Sequence, residues 1–337
     1  MVHRQFRTCR WHKQIIKERM EVKYGKHLQA LILSGLAAAV VSCSEQTQTM
    51  DDMHSAMTFH AESTQLSKVT SDGKWSGNER IAVKIGSEVK EYHATAISGS
   101  SATIEGVSAE QTHWWQNTSD VSVMAWMVGN EYHTDLETIG GWTDQSSDDK
   151  MAASDFLFVP PTKCSFGTDN YLGFLHQMAK IRINIKNEGV VKGANPAQVS
   201  VSIGDASDKI SIWGHLNPFL IKPDLGKYSG LTAREDLPKG YVQPCKVTPT
   251  SGCISSYEAL LIPQDFSGKR MIIVSFNGKN YSYIPETGQP EAIVNGGYSR
   301  VYNVVVNNLG LSVSAGNISG WSDADTTSGT ASGTAKN

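Results

Sequence analysis

The chain has 337 residues, with 30 Lys and Arg against 33 Asp and Glu, which gives a formal net charge of −3. The basic residues are dispersed and make no positive field that would attract a phosphate backbone, so the sequence excludes nucleic acid as an expected partner. The five cysteines include no CxxC pair, which excludes the usual zinc-binding and thioredoxin-like motifs.

The N-terminal segment has the pattern of an export signal that ends in a lipid-modified cysteine. Basic residues precede an apolar run at residues 30–41, which is shorter than the roughly 20 residues needed to span a bilayer. Val40, Val41 and Ser42 before Cys43 resemble the lipobox of bacterial lipoproteins. The sequence therefore predicts a lipoprotein signal peptide over residues 1–42, with Met20 as an alternative start, and an acylated Cys43 at the outer membrane. The alternative is that Cys43 is an ordinary small residue near a cleavage site.

A polar stretch and a first strand follow the signal. Residues 43–56 have no apolar periodicity and are predicted to form a flexible tether. Met57, Phe59 and Ala61 then alternate with polar residues, as in a half-buried strand. Short apolar or alternating runs continue the chain, separated by clusters of Gly, Ser, Asn and Asp. They predict strands at residues 81–85, 92–97, 102–107, 121–128 and 156–159.

A second series of strands is predicted from Tyr171 onward. Its first member, at residues 175–185, alternates isoleucines with polar side chains, so one face should be buried and the other wet. Asn277 and Gly278 can both adopt positive φ and predict a type I′ hairpin between two apolar runs. The other predicted strands lie at residues 199–203, 210–213, 259–262, 271–276, 281–284, 301–306 and 309–314.

These patterns favour an all-β fold. No segment after residue 50 sustains the helical apolar period over three turns, and antiparallel β-sandwiches fit the runs best. A change of pattern at residues 168–170 predicts a boundary between an N-terminal sandwich, residues 57–168, and a C-terminal sandwich, residues 169–322. The polar tail, residues 323–337, is predicted to be disordered.

The remaining cysteines allow one disulfide. Cys245 and Cys253 flank the turn-rich segment KVTPTSG, and in an exported chain they could close a loop worth about 2 to 3 kcal/mol. The alternative is two separate thiols. Cys164 is expected to be buried.

The sequence lacks the common catalytic and metal-binding motifs. GxSxG, HExxH, GxGxxG and the P-loop pattern do not occur, so no enzymatic activity, cofactor or metal is predicted. Asp144, Asp148 and Asp149 do not match the twelve-residue calcium loop and are expected in a solvated loop. His176 is expected to be a core or edge histidine satisfied by the backbone.

Several tryptophans raise the question of carbohydrate stacking. Trp126 lies in an apolar run and Trp321 closes the last motif of the chain, so both are expected in the core. Trp115 and Trp142 are the better candidates for exposed stacking residues.

Seven motifs occur in a recognisable order along most of the chain. Together they resemble the fimbrillin family of Bacteroidetes lipoproteins, although no single one is specific. They are KWSGNERIAVKI from Lys74, WWQNTSDVSVMAWM from Trp114, SDFLFV from Ser154, FLHQMAKIRINI from Phe174, ALLIPQDFSGK from Ala259, YSRVYNVVV from Tyr298 and ISGW from Ile318.

The resemblance implies a fold and a role. It implies two tandem transthyretin-like, Greek-key β-sandwich domains and a surface protein that acts as a shaft, tip or anchor subunit of fimbriae, with other fimbrial subunits as partners. In polymerising members the precursor is cut after an Arg or Lys beyond the N-terminal strand, and a neighbour's strand fills the groove that opens.

Transferred to this chain, the resemblance makes Met57, Phe59 and Ala61 the removable strand and Lys68 the first basic residue after it. Family members often carry Arg there, and the alternative for Lys68 is a solvated loop lysine. A glycan-binding surface lipoprotein of a polysaccharide-uptake system is the alternative function.

Overall fold

A computed structural model describes residues 55–62, 75, 77–99, 101–129, 131–316 and 318–321. The predictions for the signal peptide, Cys43, Lys68, most of the tether and the C-terminal tail lie outside these residues. The one α-helix among the described residues is short, α1 at Asp148–Ala152, and the Ser147 hydroxyl caps it by accepting from the Lys150 amide. The other described residues form strands, turns, irregular connections and short 3₁₀ segments, so the all-β prediction is confirmed.

The first nine strands build an eight-stranded sheet and part of a small one. They are β1 Phe59–Glu62, β2 Arg80–Ile85, β3 Glu88–Ser98, β4 Ser101–Gly106, β5 Val121–Val128, β6 Ile139–Gly140, β7 Phe156–Cys164, β8 Tyr171–Leu172 and β9 Leu175–His176. The large sheet has the order β8-β1-β4-β3-β2-β5-β7-β9.

The remaining strands build a six-stranded sheet and several smaller ones. They are β10 Ala179–Lys186, β11 Val199–Ile203, β12 Ile210–Ser211, β13 Trp213–Leu216, β14 Leu231–Ala233, β15 Lys239–Gly240, β16 Cys245–Val247, β17 Cys253–Leu261, β18 Gln264–Asp265, β19 Ile272–Phe276, β20 Lys279–Tyr283, β21 Ile293–Val294, β22 Tyr298–Asn307, β23 Gly310–Ala315 and β24 Ser319–Gly320. The six-stranded sheet runs β16-β17-β10-β22-β23, with β24 also paired to β22.

Three clusters of buried side chains make up the core. The first contains only residues between 57 and 174 and lies on one face of the eight-stranded sheet. The second contains only residues between 179 and 315 and is enclosed by the six-stranded sheet and the three-stranded sheet β11-β19-β20. The third joins the other face of the eight-stranded sheet, through Trp126 and Phe158, to Leu260 and Trp321. The two domain limits and the transthyretin-like topology remain predictions.

Two strand pairs run parallel, which the sequence did not predict. β1 is parallel to β8 and β10 is parallel to β22, whereas the other pairs within the two largest sheets are antiparallel. The period-two pattern tells which face of a strand is buried and carries no information on the direction of its neighbour.

The hairpin at Asn277 and Gly278 is confirmed. Their φ angles are +48° and +74°, and they connect β19 to β20, in which Phe276 lies opposite Lys279. Both central residues therefore have the left-handed conformation that a type I′ turn requires.

Candidate functional site

The N-terminal strand β1 lies one position in from the edge of the eight-stranded sheet. On one side it is antiparallel to β4, with Phe59 opposite Ile104. On the other side it is parallel to β8, with His60 opposite Tyr171, and the His60 amide donates to the Asn170 carbonyl at 2.8 Å. The backbone of β1 is therefore hydrogen-bonded to two neighbours, and it separates β8 from the rest of the sheet.

The residues just before β1 are also held by backbone hydrogen bonds to a neighbouring segment. The Met57 amide donates to the His113 carbonyl at 2.8 Å, and the Trp115 amide donates to the Ser55 carbonyl at 3.0 Å. Ala56 and Trp114 form an antiparallel bridge between these two bonds. The groove that holds the N-terminal segment thus runs from the segment at residues 113–115 along β4, with β8 as its other wall.

The side chains of this segment alternate between the core and the surface. Phe59 and Ala61 are 0 % exposed and Met57 is 4 % exposed, whereas Thr58 is exposed. The Phe59 ring lies 5.9 Å from the ring of Tyr92. The predicted strand exists, with β1 itself starting at Phe59; its removal stays a prediction.

The chain re-enters the core soon after β1. Trp75 is buried and its ring meets that of Phe174 edge-on, with the centroids 5.7 Å apart. Lys68 lies between β1 and Trp75 in sequence, so a cut there would leave Trp75 with the body of the protein.

His113 is a buried histidine beside the groove. Its Nε2 donates to the Val83 carbonyl at 3.1 Å, and its backbone amide donates to the Tyr92 hydroxyl at 2.8 Å. Burial lowers the pKa of His113, and the nearby Lys90 ammonium lowers it further, while the Val83 carbonyl and the Glu88 carboxylate, at 3.9 Å, oppose the shift. The neutral ring is therefore favoured in the folded protein.

We expect the stability of the protein to fall as the pH is lowered below about 6.5, the ordinary pKa of histidine. The relevant pH range lies between the ordinary pKa of histidine and the lower pKa of His113 in the folded protein. In that range the unfolded chain binds a proton at His113 and the folded chain does not, so protonation favours unfolding. Urea unfolding at neutral and at mildly acidic pH is the measurement. The free energy of unfolding should fall less on acidification for His113→Gln than for the parent. The same substitution at the more exposed His133 is the control, and an equal loss in both variants would contradict the role of His113.

The structure corrects the prediction for one tryptophan and confirms two others. Trp115 is 5 % exposed, and its ring meets that of Phe166 edge-on at 5.6 Å. It is therefore not an exposed stacking residue, and Trp142 is only half-buried. Trp126 and Trp321 are in the core as predicted.

His176 is buried as predicted, but its partners differ from the prediction. Its Nδ1 lies 2.9 Å from a carboxylate oxygen of Asp155, rather than bonding only to the backbone. The Trp321 ring stacks on the imidazole, with the centroids 4.0 Å apart and the planes 3° from parallel. Asp155 is twenty-one residues away in sequence, so no local motif could reveal the pair.

Two of the three aspartates of the WTDQSSDDK segment, Asp144 and Asp148, have different side-chain partners. Asp144 forms an ion pair with Lys150 at 2.5 Å, and the bonds from Lys150 and Ser146 lower the pKa of Asp144 to about 2. The Asp148 carboxylate contacts the Cys245 thiol at 3.3 Å. Among the described residues no group of three His, Cys, Asp or Glu side chains is placed to hold a metal ion.

The predicted disulfide is not supported by the structure. Cys245 and Cys253 are both free thiols. Cys245 lies opposite Glu258 in the pairing of β16 with β17. Cys253 is the first residue of β17, five residues before Glu258, which separates the two cysteines by about 16 Å. Disulfides need Cα atoms within about 7 Å, so the turn between the two strands holds the cysteines too far apart. Cys164 is buried as predicted.

The comparisons with known proteins identify relatives in sequence and in structure. A family model described as fimbrillin-like matches residues 67–321 of the chain. No curated protein matches the sequence. None of the described helices is long and apolar enough to cross a membrane.

Two solved structures with TM-scores above 0.5 share the fold at low sequence identity, and a third has a lower score. A candidate cell adhesion protein from Bacteroides uniformis is 15% identical, with a TM-score of 0.56, over 81% of this chain and 100% of its own. A candidate cell adhesion protein from Bacteroides ovatus is 16% identical, with a TM-score of 0.54, over 80% of this chain and 98% of its own. The tip fimbrial protein Mfa3 from Porphyromonas gingivalis is 9% identical, with a TM-score of 0.44, over 79% of this chain and 99% of its own.

Proposed function

The chain belongs to the fimbrillin-like family of fimbrial subunits, and from this premise we propose that it is a surface-exposed lipoprotein that assembles into fimbriae by β-strand exchange. The family match begins at residue 67, so β1 precedes the matched body. Export and the lipid on Cys43 rest on the sequence of the signal segment, and the acyl chains would hold the protein at the outer membrane.

The observation that carries the proposal is the way β1 is bound. Its main chain pairs with β4 and β8 through bonds that any extended strand can make, because backbone amides and carbonyls are the same in every residue. Main-chain bonds of this kind provide affinity in β-strand addition without specifying a sequence. A strand from another subunit could therefore replace β1.

The three buried side chains of the segment would provide register. Met57, Phe59 and Ala61 fill successive positions of the N-terminal core, against Tyr92, Ile104 and other members of that cluster. If the segment left, β4 would have an unpaired edge beside an open apolar groove, which is a template for pairing with another chain. An incoming strand should carry a large apolar, an aromatic and a small side chain at alternate positions.

A cut after Lys68 would separate the strand from the body of the protein. The body would keep Trp75, which is anchored on Phe174, and would lose both β1 and the lipid on Cys43. The timing of the cut would then set the role of the subunit. An uncut chain keeps its lipid and suits an anchor, whereas a cut chain can enter the fibre as a shaft or tip subunit.

We expect limited digestion of the full chain with a lysine-specific protease to produce oligomers whose size increases with protein concentration. Cleavage between β1 and Trp75 allows β1 to leave, and a strand from a second molecule then fills the groove. Size-exclusion chromatography with light scattering is the measurement, and mass spectrometry should identify a new N-terminus at Val69.

The matched control replaces both lysines of the segment, Lys68→Gln and Lys74→Gln, so that β1 stays attached under the same digestion. This variant should remain monomeric. Monomeric behaviour of the cleaved parent, with β1 released, would contradict strand exchange.

No second function is proposed. The glycan-binding alternative depended on exposed tryptophans. Of its two candidates, Trp115 is buried in the N-terminal core and Trp142 is half-buried.

A further inference from the structure

The connection between β13 and β14, residues 217–230, forms a projecting loop that we call the finger. The Asn217 amide donates to the Gly230 carbonyl at 3.0 Å and closes its base. Connections of this length without strands or α-helix are uncommon in compact domains and are usually functional.

The finger carries large apolar side chains that face solvent. Phe219 is 86 % exposed, more than any other large hydrophobic residue among those described, and Leu225 is 66 % exposed. Leu220 is also exposed. Single exposed hydrophobic residues are normal on protein surfaces, but three on one loop mark an interaction site.

The backbone of the finger is ordered by local structure. Its first half is a 3₁₀ turn, Pro218–Leu220, in which the Asn217 side chain accepts from the Phe219 amide at 3.1 Å. Its second half is closed by two reciprocal bonds between Lys222 and Lys227, at 2.7 and 3.0 Å. These contacts fix the positions of Phe219 and Leu225 in the absence of any partner.

The finger is also fixed to the body of the protein. The Gln177 side chain accepts from the Gly230 amide at 3.0 Å and donates to the Tyr228 carbonyl at 3.1 Å. The Ser229 hydroxyl donates to the Gln177 carbonyl at 2.8 Å, and the Tyr298 hydroxyl donates to the Gly226 carbonyl. The exposure of the apolar tip is therefore a feature of a held conformation, which favours binding because little ordering is needed.

The charges of the finger narrow the choice of partner. Lys222 and Lys227 are exposed, and neither forms a salt bridge with another described residue. With Asp224 the finger has a positive balance, in a chain whose formal net charge is −3. Exposed apolar side chains and exposed lysines on one loop suit an anionic lipid surface, where the apolar groups enter the acyl boundary and the ammonium groups meet phosphates.

A cleft of mixed polarity lies beside the finger. It has a volume of about 640 Å³, and its lining includes Leu220, Tyr228, Tyr298 and Ile318 as well as the polar Lys227, Ser229 and Asn295. Tyrosine side chains are enriched at the membrane–water interface because the ring is apolar and the hydroxyl is polar.

We propose that the finger inserts Phe219, Leu220 and Leu225 into the surface of a bilayer containing anionic phospholipid, with Lys222 and Lys227 on the headgroups. This contact is separate from the strand groove and does not depend on a lipid at Cys43. It would fix the orientation of the protein on a membrane.

Photocrosslinking tests the contact locally in the full chain, even where another segment also binds the membrane. p-Benzoylphenylalanine replaces Phe219, and the protein is irradiated with vesicles of phosphatidylcholine, with and without phosphatidylglycerol. Leu309 is the matched control position, because it is 78 % exposed and lies in the turn between β22 and β23. Mass spectrometry should find at least about tenfold more lipid adduct at position 219 than at 309, and more with phosphatidylglycerol present.

The lysines give the second measurement. Lys222→Gln with Lys227→Gln should lower the lipid adduct at position 219 severalfold in vesicles with phosphatidylglycerol and leave it unchanged in pure phosphatidylcholine. Equal lipid adducts at positions 219 and 309, or no adduct at 219, would overturn the proposal. Crosslinking of position 219 to a second copy of the chain, in place of lipid, would also overturn it and assign the finger to a protein contact.

Discussion

Replacing Phe59 by alanine should lower the free energy of unfolding by about 3 to 5 kcal/mol, the usual cost of removing a buried phenylalanine. The Phe59 side chain is fully buried and contacts the Tyr92 ring. The substitution would leave a cavity in the N-terminal core. Because β1 contributes few other side chains to that core, the cavity cannot be filled unless the strand itself moves. Denaturant unfolding monitored by tryptophan fluorescence measures the loss.

The neighbouring residue provides the control for this substitution. Thr58 is exposed on the same segment, and Thr58→Ala should change the free energy of unfolding by no more than about 0.5 kcal/mol. Phe59→Ala should also be cut after Lys68 faster than the parent, because a less stable β1 detaches more often. A Phe59→Ala variant as stable as Thr58→Ala would show that β1 does not belong to the folding unit.

Replacing Trp321 by alanine should also cost about 3 to 5 kcal/mol. The indole is 7 % exposed and stacks on the His176 imidazole at 4.0 Å. Trp321 follows β24, which pairs with β22 of the six-stranded sheet, whereas His176 belongs to β9 of the eight-stranded sheet. Its loss should therefore weaken the contact between the two large sheets as well as leave a cavity beside His176.

Ile318 is the control for this second substitution, because it belongs to the same terminal segment and is 41 % exposed. Ile318→Ala should cost less than about 1 kcal/mol. Calorimetric unfolding is the measurement, and a split of the single transition into two for Trp321→Ala would locate the loss at the contact between the sheets. Equal stability of the two variants would contradict the packing of Trp321 on His176.

Local sequence patterns predicted most of the strands and one turn, but the single strand predicted at residues 175–185 is wrong, because β9 and β10 are separate strands of different sheets. β5 and β11 have the bounds expected from their apolar runs, and the hairpin at Asn277 and Gly278 follows from backbone sterics. Both depend on residues within one short segment. The family resemblance is likewise confirmed by the match over residues 67–321.

Features that depend on distant residues were not predicted. The position of β1 between β4 and β8 is set by a partner that lies more than one hundred residues farther along the chain. Trp115 stands in a polar segment, and its backbone pairs with the distant Ser55 while its ring packs in the core against Phe166. The predicted disulfide between Cys245 and Cys253 is not formed for the same reason, because the length of a loop does not determine the register of the strands that it connects.

The finger illustrates a different limit. Its sequence, rich in proline and lysine, indicates a loop, but the exposure of Phe219 depends on contacts of the loop backbone with Gln177 and Tyr298. These residues are far from the finger in sequence. The exposure of the apolar side chains of the finger therefore follows from the three-dimensional structure and not from the local sequence.

Strand exchange is tested most directly by locking β1 in place with a disulfide. His60 lies opposite Thr103 in the pairing of β1 with β4. The His60 amide points to Asn170 on the other side, so the two face each other as a non-hydrogen-bonded pair with Cα atoms about 4.5 Å apart, within the range that a disulfide spans. His60→Cys with Thr103→Cys should therefore form a bond that retains β1 after cleavage at Lys68.

The measurement is the size distribution of this cleaved variant under oxidising and reducing conditions. Strand exchange predicts monomers while the disulfide is intact and concentration-dependent oligomers after its reduction. Oligomers of the same size and amount in the oxidised sample would contradict the displacement of β1 as the route of assembly.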